Sequence, residues 1–189
     1  TNAGDSFDVS YEYDYFGTQL SATSTWTLLG IVDDVWQVAV DIANIGAARI
    51  VSFGFAVDPV ASAVSILTND SNNWGVGTTG TGQGNVGQFP GLFTADFCVF
   101  AGQNCQGGGN AGLTNGESSS IVLGITSAGA TELNFSEFAI RYQSIPTGEG
   151  SFSFEGTPDT PAPIPLPATG VLLLAALGGI GLMRRRKAA

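Results

Sequence analysis

Hydrophobic and polar residues alternate one by one along most of the first half of the chain. Phe7, Val9, Tyr11, Tyr13 and Tyr15 fall on one side of an extended segment, and Asp8, Ser10, Glu12 and Asp14 on the other. A strand with one face buried and one face in water has this period of two. Leu20, Ala22, Trp26 and Leu28 then oppose Ser21, Thr23, Thr25 and Thr27, ahead of a turn at Gly30 or at Asp33 and Asp34. Trp36, Val38, Val40 and Ile42 alternate with Gln37, Ala39, Asp41 and Ala43. Val51, Phe53, Phe55 and Val57 alternate with Ser52, Gly54, Ala56 and Asp58. Trp26 and Trp36, at alternating strand positions, are expected in the core.

Residues 69–91 are rich in Asn, Gly, Thr and Gln and read as a long surface loop. Strand signals return at residues 92–100, 118–126, 133–142 and 150–155. Strands joined by Gly/Asn turns, with no amphipathic helix before residue 160, predict an all-β domain. Its expected form is a two-sheet β-sandwich of jelly-roll type, with a closed barrel as the alternative. The predicted organisation is an ectodomain over residues 1–155, a Pro-rich spacer over 156–167, and a terminal segment over 168–189 that holds a short apolar helix.

Charge divides the chain in the same place. The 189 residues include 16 Asp and Glu, 6 Lys and Arg and no His, for a net charge of −10. Every acid lies at or before Asp159, where only Arg49 and Arg141 oppose them, so this body carries −14. Arg184, Arg185, Arg186 and Lys187 supply the remaining positive charge near the C-terminus. An acidic body with no basic face excludes nucleic acid as a partner. Disorder is excluded too, because 12 Phe, 4 Tyr and 3 Trp provide ample material for a core.

The missing histidine removes Ser/His/Asp and Cys/His nucleophile systems, His-ligated zinc and imidazole general bases. Carboxylate chemistry is what remains. Asp33 and Asp34 are the one adjacent pair of acids, but neighbours on a strand point to opposite faces, and a turn filled by two acids accounts for them. Glu132 and Glu137 lie in the region of one expected strand without an evident partner. The body is therefore expected to be non-enzymatic and to need no cofactor. Two ligand classes stay open. Asp33, Asp34, Asp58 before Pro59, and Asp70 beside Asn69, Asn72 and Asn73 are loop carboxylates suited to calcium, although no D-x-[DN]-x-[DN]-G loop occurs. Trp74, in its Gly/Asn-rich stretch, is the candidate exposed ring for stacking on extracellular polysaccharide.

Cys98 and Cys105 enclose six residues and precede Gln106 and three glycines. A hairpin clasped near its tip would bring them to bridging distance, and an even cysteine count in an exported chain favours a disulfide. A redox or metal pair is the alternative, weakened by the absence of C-x-x-C spacing and of any third ligand.

Beyond residue 155 the composition changes abruptly, with Pro158, Pro161, Pro163, Pro165 and Pro167 close together. Polyproline geometry, at about 3.1 Å per residue, makes such a stretch a spacer of roughly 35 Å. Residues 171–183 follow, uncharged and made mostly of Leu, Gly, Ala, Ile and Val, then the basic cluster. As a helix they span about 20 Å, short of a hydrocarbon core near 30 Å. The positive-inside rule keeps Arg184, Arg185, Arg186 and Lys187 on the cytoplasmic side and leaves the acidic body outside.

Ile164, Pro165, Leu166, Pro167 and Ala168, followed by the apolar run and Arg-Arg-Arg-Lys, closely resemble the PEP-CTERM class of bacterial sorting signals in its V-P-L-P-A variant. Ile164 stands where that variant has Val. The resemblance implies processing by an exosortase-type enzyme, an inner-membrane intermediate held by the C-terminal segment, and delivery to the cell surface or extracellular matrix of a Gram-negative bacterium. Leu166, Pro167, Ala168, Thr169 and Gly170 also match the L-P-x-T-G signal, which implies instead a sortase and attachment to peptidoglycan. The start at Thr1 without Met fits removal of a secretion signal. Within the body, residues 53–59, the cysteine pair, residues 138–144 and residues 148–151 resemble the paired-cysteine cistern subgroup of these surface proteins.

Overall fold

The alternating segments do form strands, and the strands form two antiparallel sheets. A computed structural model of the chain describes residues 3–70, 72–78, 95–107, 110–148 and 150–159. The strands are β1 (Ser6–Tyr15), β2 (Thr18–Val32), β3 (Val35–Asn44), β4 (Arg49–Asp58), β5 (Ala63–Thr68), β6 (Trp74–Thr78), β7 (Phe97–Ala101), β8 (Ser118–Thr126), β9 (Asn134–Gln143), β10 (Ser151–Glu155) and β11 (Thr157–Pro158). One sheet has the order β11-β1-β2-β3-β8-β5 and the other β10-β9-β4-β7-β6. No helix occurs among the described residues. The predicted C-terminal helix lies outside them.

The first three strands are an up-and-down meander set by two-residue turns. Tyr15 pairs with Thr18 around Phe16 and Gly17, and Val32 pairs with Val35 around Asp33 and Asp34. All four turn residues have positive φ, as the type I′ turns that match strand twist require. Gly30, the other turn candidate, instead sits at a bulge where the β2–β3 register shifts after Leu28. Leu29 within that bulge and Ile31 and Val32 past it all face solvent.

Trp26 and Trp36 are buried as expected, at 1% and 2% exposure. Trp26, from the first sheet, meets Phe53 and Phe55 of β4 and Phe135 and Phe138 of β9 at ring separations of 5.0–6.1 Å. Aromatic burial of this size dominates the energetics of a sandwich core. The buried polar groups inside it are paired. Trp26 Nε1 donates to Ser24 Oγ at 2.9 Å, and Tyr11 Oη lies 3.4 Å from the same hydroxyl. Asn44, fully buried, donates to the carbonyls of Ala48 and Leu113 and accepts from Gly46 N and Tyr142 Oη. Burial pushes the phenols of Tyr11 and Tyr142 above the ordinary tyrosine range.

Three strands depart from the sequence expectation. β5 lies outside the expected strands, β6 falls inside the stretch read as a surface loop, and β11 lies in the expected spacer. Gly156 N donates to Phe138 O, Thr157 and Pro158 pair with Ser10 and Val9, and Asp159 N donates to Asp8 O. The sheet thus continues to Asp159. A Cβ at Gly156 would collide with the Tyr11 ring, so this position lets the chain cross closely over the core.

Cys98 and Cys105 are bonded, but not across a hairpin. The neighbours of β7 are β4 and β6, and Cys105 lies on the segment that leaves β7 and folds over the outer face of its sheet. There Ala95, Cys98, Phe100, Cys105 and Ala139 make a second small apolar cluster. Ser52 Oγ donates to Cys105 O, and Arg141 Nε and Gln143 Nε2 both donate to Gln106 O.

Candidate functional site

Trp74 is a core residue and not an exposed platform. It is 3% exposed, on β6, and packs edge-on to Phe53 at 5.8 Å. Asn69 clamps its backbone from both sides, Oδ1 accepting from Trp74 N at 3.0 Å and Nδ2 donating to Trp74 O at 2.7 Å. Its indole Nε1 donates to Ser119 Oγ at 2.7 Å, and Ser119 donates onward to Asp70 Oδ2. Sugar stacking at Trp74 is therefore ruled out by burial. A Gly/Asn-rich stretch concealed a strand whose single large residue reaches across the sandwich.

The calcium candidates do not converge. Asp33 and Asp34 occupy the β2–β3 turn, Asp58 ends β4 and Asp70 belongs to the β5–β6 connection. Among the described residues no group of three or more His, Cys, Asp or Glu side chains could hold a metal ion. The Asp70 carboxylate is already engaged by Ser119, by Asn72 N at 2.8 Å and by Asn72 Nδ2 at 3.2 Å. Partial burial works against its ionisation, but these hydrogen bonds outweigh that and hold its pKa below the usual carboxylate range.

A shallow cleft of about 220 Å³ is lined by residues of β9 and by Glu155, Gly156 and Pro158. It presents Glu137, which has a left-handed φ of 52° next to a register shift between β4 and β9. Glu137 and Glu155 are both exposed. Neither has the water-excluded setting that prepares a carboxyl as a general acid. Arg141 is a further perturbed ionisable group. Burial lowers its pKa, and it hydrogen-bonds Gln106 O, Ser153 Oγ and Ser151 Oγ, tying β9 to β10 and to the cysteine loop.

Aromatic side chains are exposed elsewhere, where β1 lies against β10. Phe16 is 79% exposed and Tyr13 43%. Tyr15 lies edge-on to Phe16 at 4.9 Å, Phe152 lies 4.6 Å from Tyr15 and 4.7 Å from Tyr13, and Tyr13 lies 5.5 Å from Phe154. The alternation of β1 placed Tyr13 and Tyr15 on the core side. At the rim of the sandwich that side opens to solvent, which the period alone does not reveal.

The sorting residues Ile164, Pro165, Leu166, Pro167 and Ala168, the apolar run and Arg184, Arg185, Arg186 and Lys187 lie outside the described residues. Among the described residues no helix is long and apolar enough to cross a membrane. No curated protein and no solved structure matches the chain. Residues 163–187 match the PEP-CTERM protein-sorting motif, and the chain thus carries the C-terminal signal of an exported protein sorted by an exosortase.

Proposed function

We propose that this chain is a non-enzymatic protein of the cell surface or extracellular matrix, whose β-sandwich is the working part and whose tail is an address. The match at residues 163–187 carries this reading. In it, residues 165–168 are recognised by the processing enzyme, residues 171–183 hold the intermediate in the inner membrane, and Arg184, Arg185, Arg186 and Lys187 stay cytoplasmic. The absence of histidine and the solvent-exposed carboxylates Glu137 and Glu155 of the shallow cleft support a body without catalysis. It works without a resident metal or cofactor. The paired cysteines support a place in the cistern subgroup.

The test is the C-terminus of the mature protein. Full-length chain and a variant lacking residues 170–189 are expressed in a Gram-negative host that has an exosortase, fractionated, and analysed by mass spectrometry. The expected mature product of the full chain is at the surface or in the medium and lacks the basic cluster. The truncated variant is expected to bypass the inner-membrane intermediate. A mature chain that keeps Ala189 would make the tail a permanent anchor, and one ending at Thr169 joined to peptidoglycan would assign it to a sortase. Either result overturns the proposal.

A further inference from the structure

The chain contains two Asn-x-Ser triplets, Asn69-Asp70-Ser71 and Asn134-Phe135-Ser136. In an exported chain such a triplet is the acceptor sequence for an N-linked glycan, provided that the asparagine amide can be reached and a bulky sugar fits where it stands. The fold treats the two differently. Asn69 uses both atoms of its amide on the backbone of Trp74, Oδ1 accepting at 3.0 Å and Nδ2 donating at 2.7 Å. A sugar on Asn69 Nδ2 would stand against the carbonyl of a residue whose ring is in the core, and would break that clamp.

Asn134 is the first residue of β9, where it pairs with Asp58. Glu132, Asn134 and Ser136 are exposed, whereas Leu133 between them is buried and Phe135 is half-buried. Successive side chains of an extended chain point to opposite sides, so the acceptor amide and the hydroxyl two residues on share the solvent side. Phe135 turns the other way and meets Trp26 at 5.6 Å and Phe7 at 5.9 Å. What a transferase must read is outside, and what holds the segment in place is inside. A glycan on Asn134 therefore displaces no core contact. Glu132 adds a carboxylate on the exposed side, with which a basic group of the transferase can pair. The residues between β8 and β9 are turn and irregular chain, and a strand end beside such a connection opens locally more readily than a strand centre.

We propose that Asn134 is a site of N-linked glycosylation and that Asn69, in the same kind of triplet, is not. The donor is a polyprenyl diphosphate-linked oligosaccharide, and the enzyme an oligosaccharyltransferase on the outer side of the inner membrane. Asn134 Nδ2 forms a bond to the anomeric carbon while the bond from that carbon to the diphosphate oxygen breaks. Polyprenyl diphosphate leaves with the bonding electrons, and one amide proton passes to a base of the transferase. The site rests on export of the body, which the motif at residues 163–187 carries, and not on how the tail is later processed.

The test directs the full chain across the inner membrane with a cleavable secretion signal, in a Gram-negative host that carries a periplasmic oligosaccharyltransferase and its lipid-linked oligosaccharide. A known acceptor protein in the same cells reports that transfer is active. Intact mass of the exported chain is expected to rise by one glycan, and peptide mapping is expected to place it on Asn134. Asn134→Gln and Ser136→Ala are expected to lose the added mass, Ser136→Thr to keep it, and Asn69→Gln to leave it unchanged. Ser136→Ala is expected to keep the melting temperature of the unglycosylated parent, which separates loss of the acceptor from loss of the fold. An exported chain without added mass beside a glycosylated control overturns the proposal, as does a glycan on Asn69 or one that survives Asn134→Gln. Because the secretion signal supplies export, a glycan on Asn134 stands even where the tail remains uncleaved, and tail cleavage without a glycan refutes this site alone.

Discussion

Ser119 joins two residues that look unrelated in sequence. Its hydroxyl accepts from the Trp74 indole and donates to Asp70, so a residue considered for sugar and one considered for calcium serve one buried relay. Ser119→Ala leaves the indole N–H buried without a partner and removes a donor from the carboxylate. The expected loss is about 1 to 3 kcal/mol by urea or thermal unfolding. Asp70 adds a pH signature. Its folded pKa is depressed below the unfolded value, so its stabilisation is fully present above about pH 4 and is lost as pH falls through the folded value. The stability gap between parent and variant is therefore expected to be widest near neutrality and to narrow in acid. None of this was legible in the sequence, because Trp74 and Asp70 lie 45 and 49 positions from Ser119, Trp74 in the other sheet and Asp70 in the β5–β6 connection.

Strands with regular alternation, such as β3 and β8, were legible because one face meets the core at every second residue. β6 was not. Gly75 and Gly77 weaken any local strand signal, and β6 exists because it pairs with β7 from Trp74↔Ala101 to Thr78↔Phe97. Gly75 is needed there, since a Cβ would come within 2.9 Å of the Phe100 ring. The pairing of the two cysteines was readable from their number and spacing, whereas the surface that the bridged segment covers was not. Closing so short a loop stabilises by about 2 to 3 kcal/mol on the chain-entropy model. The double variant Cys98→Ser, Cys105→Ser is expected to lose that amount in chemical denaturation. Protease cleavage is expected to appear first within residues 102–107, which Ser52, Arg141 and Gln143 hold through the carbonyls of Cys105 and Gln106.

On the scale of the whole molecule, two cations cannot balance sixteen acids, and the folded body repels itself. Its melting temperature is expected to rise as sodium chloride goes from about 10 mM to about 0.5 M, where the Debye length shrinks from about 30 Å to a few ångströms. Calcium chloride at matched ionic strength is expected to add nothing, since the candidate carboxylates do not converge; a calcium-specific rise would show that a site forms. By itself the sequence determined what depends on composition and local order: the all-β class, the acidic body and basic end, the absence of imidazole chemistry, and the C-terminal address read as a contiguous motif. Tertiary structure decided what depends on distant neighbours. It buried Trp74, divided the acids among separate segments, extended the sheet to Asp159, and brought Tyr13 and Tyr15 against Phe152. Alternation tells which side of a strand is apolar, but only the position of the facing sheet decides where that side is covered and where it meets water.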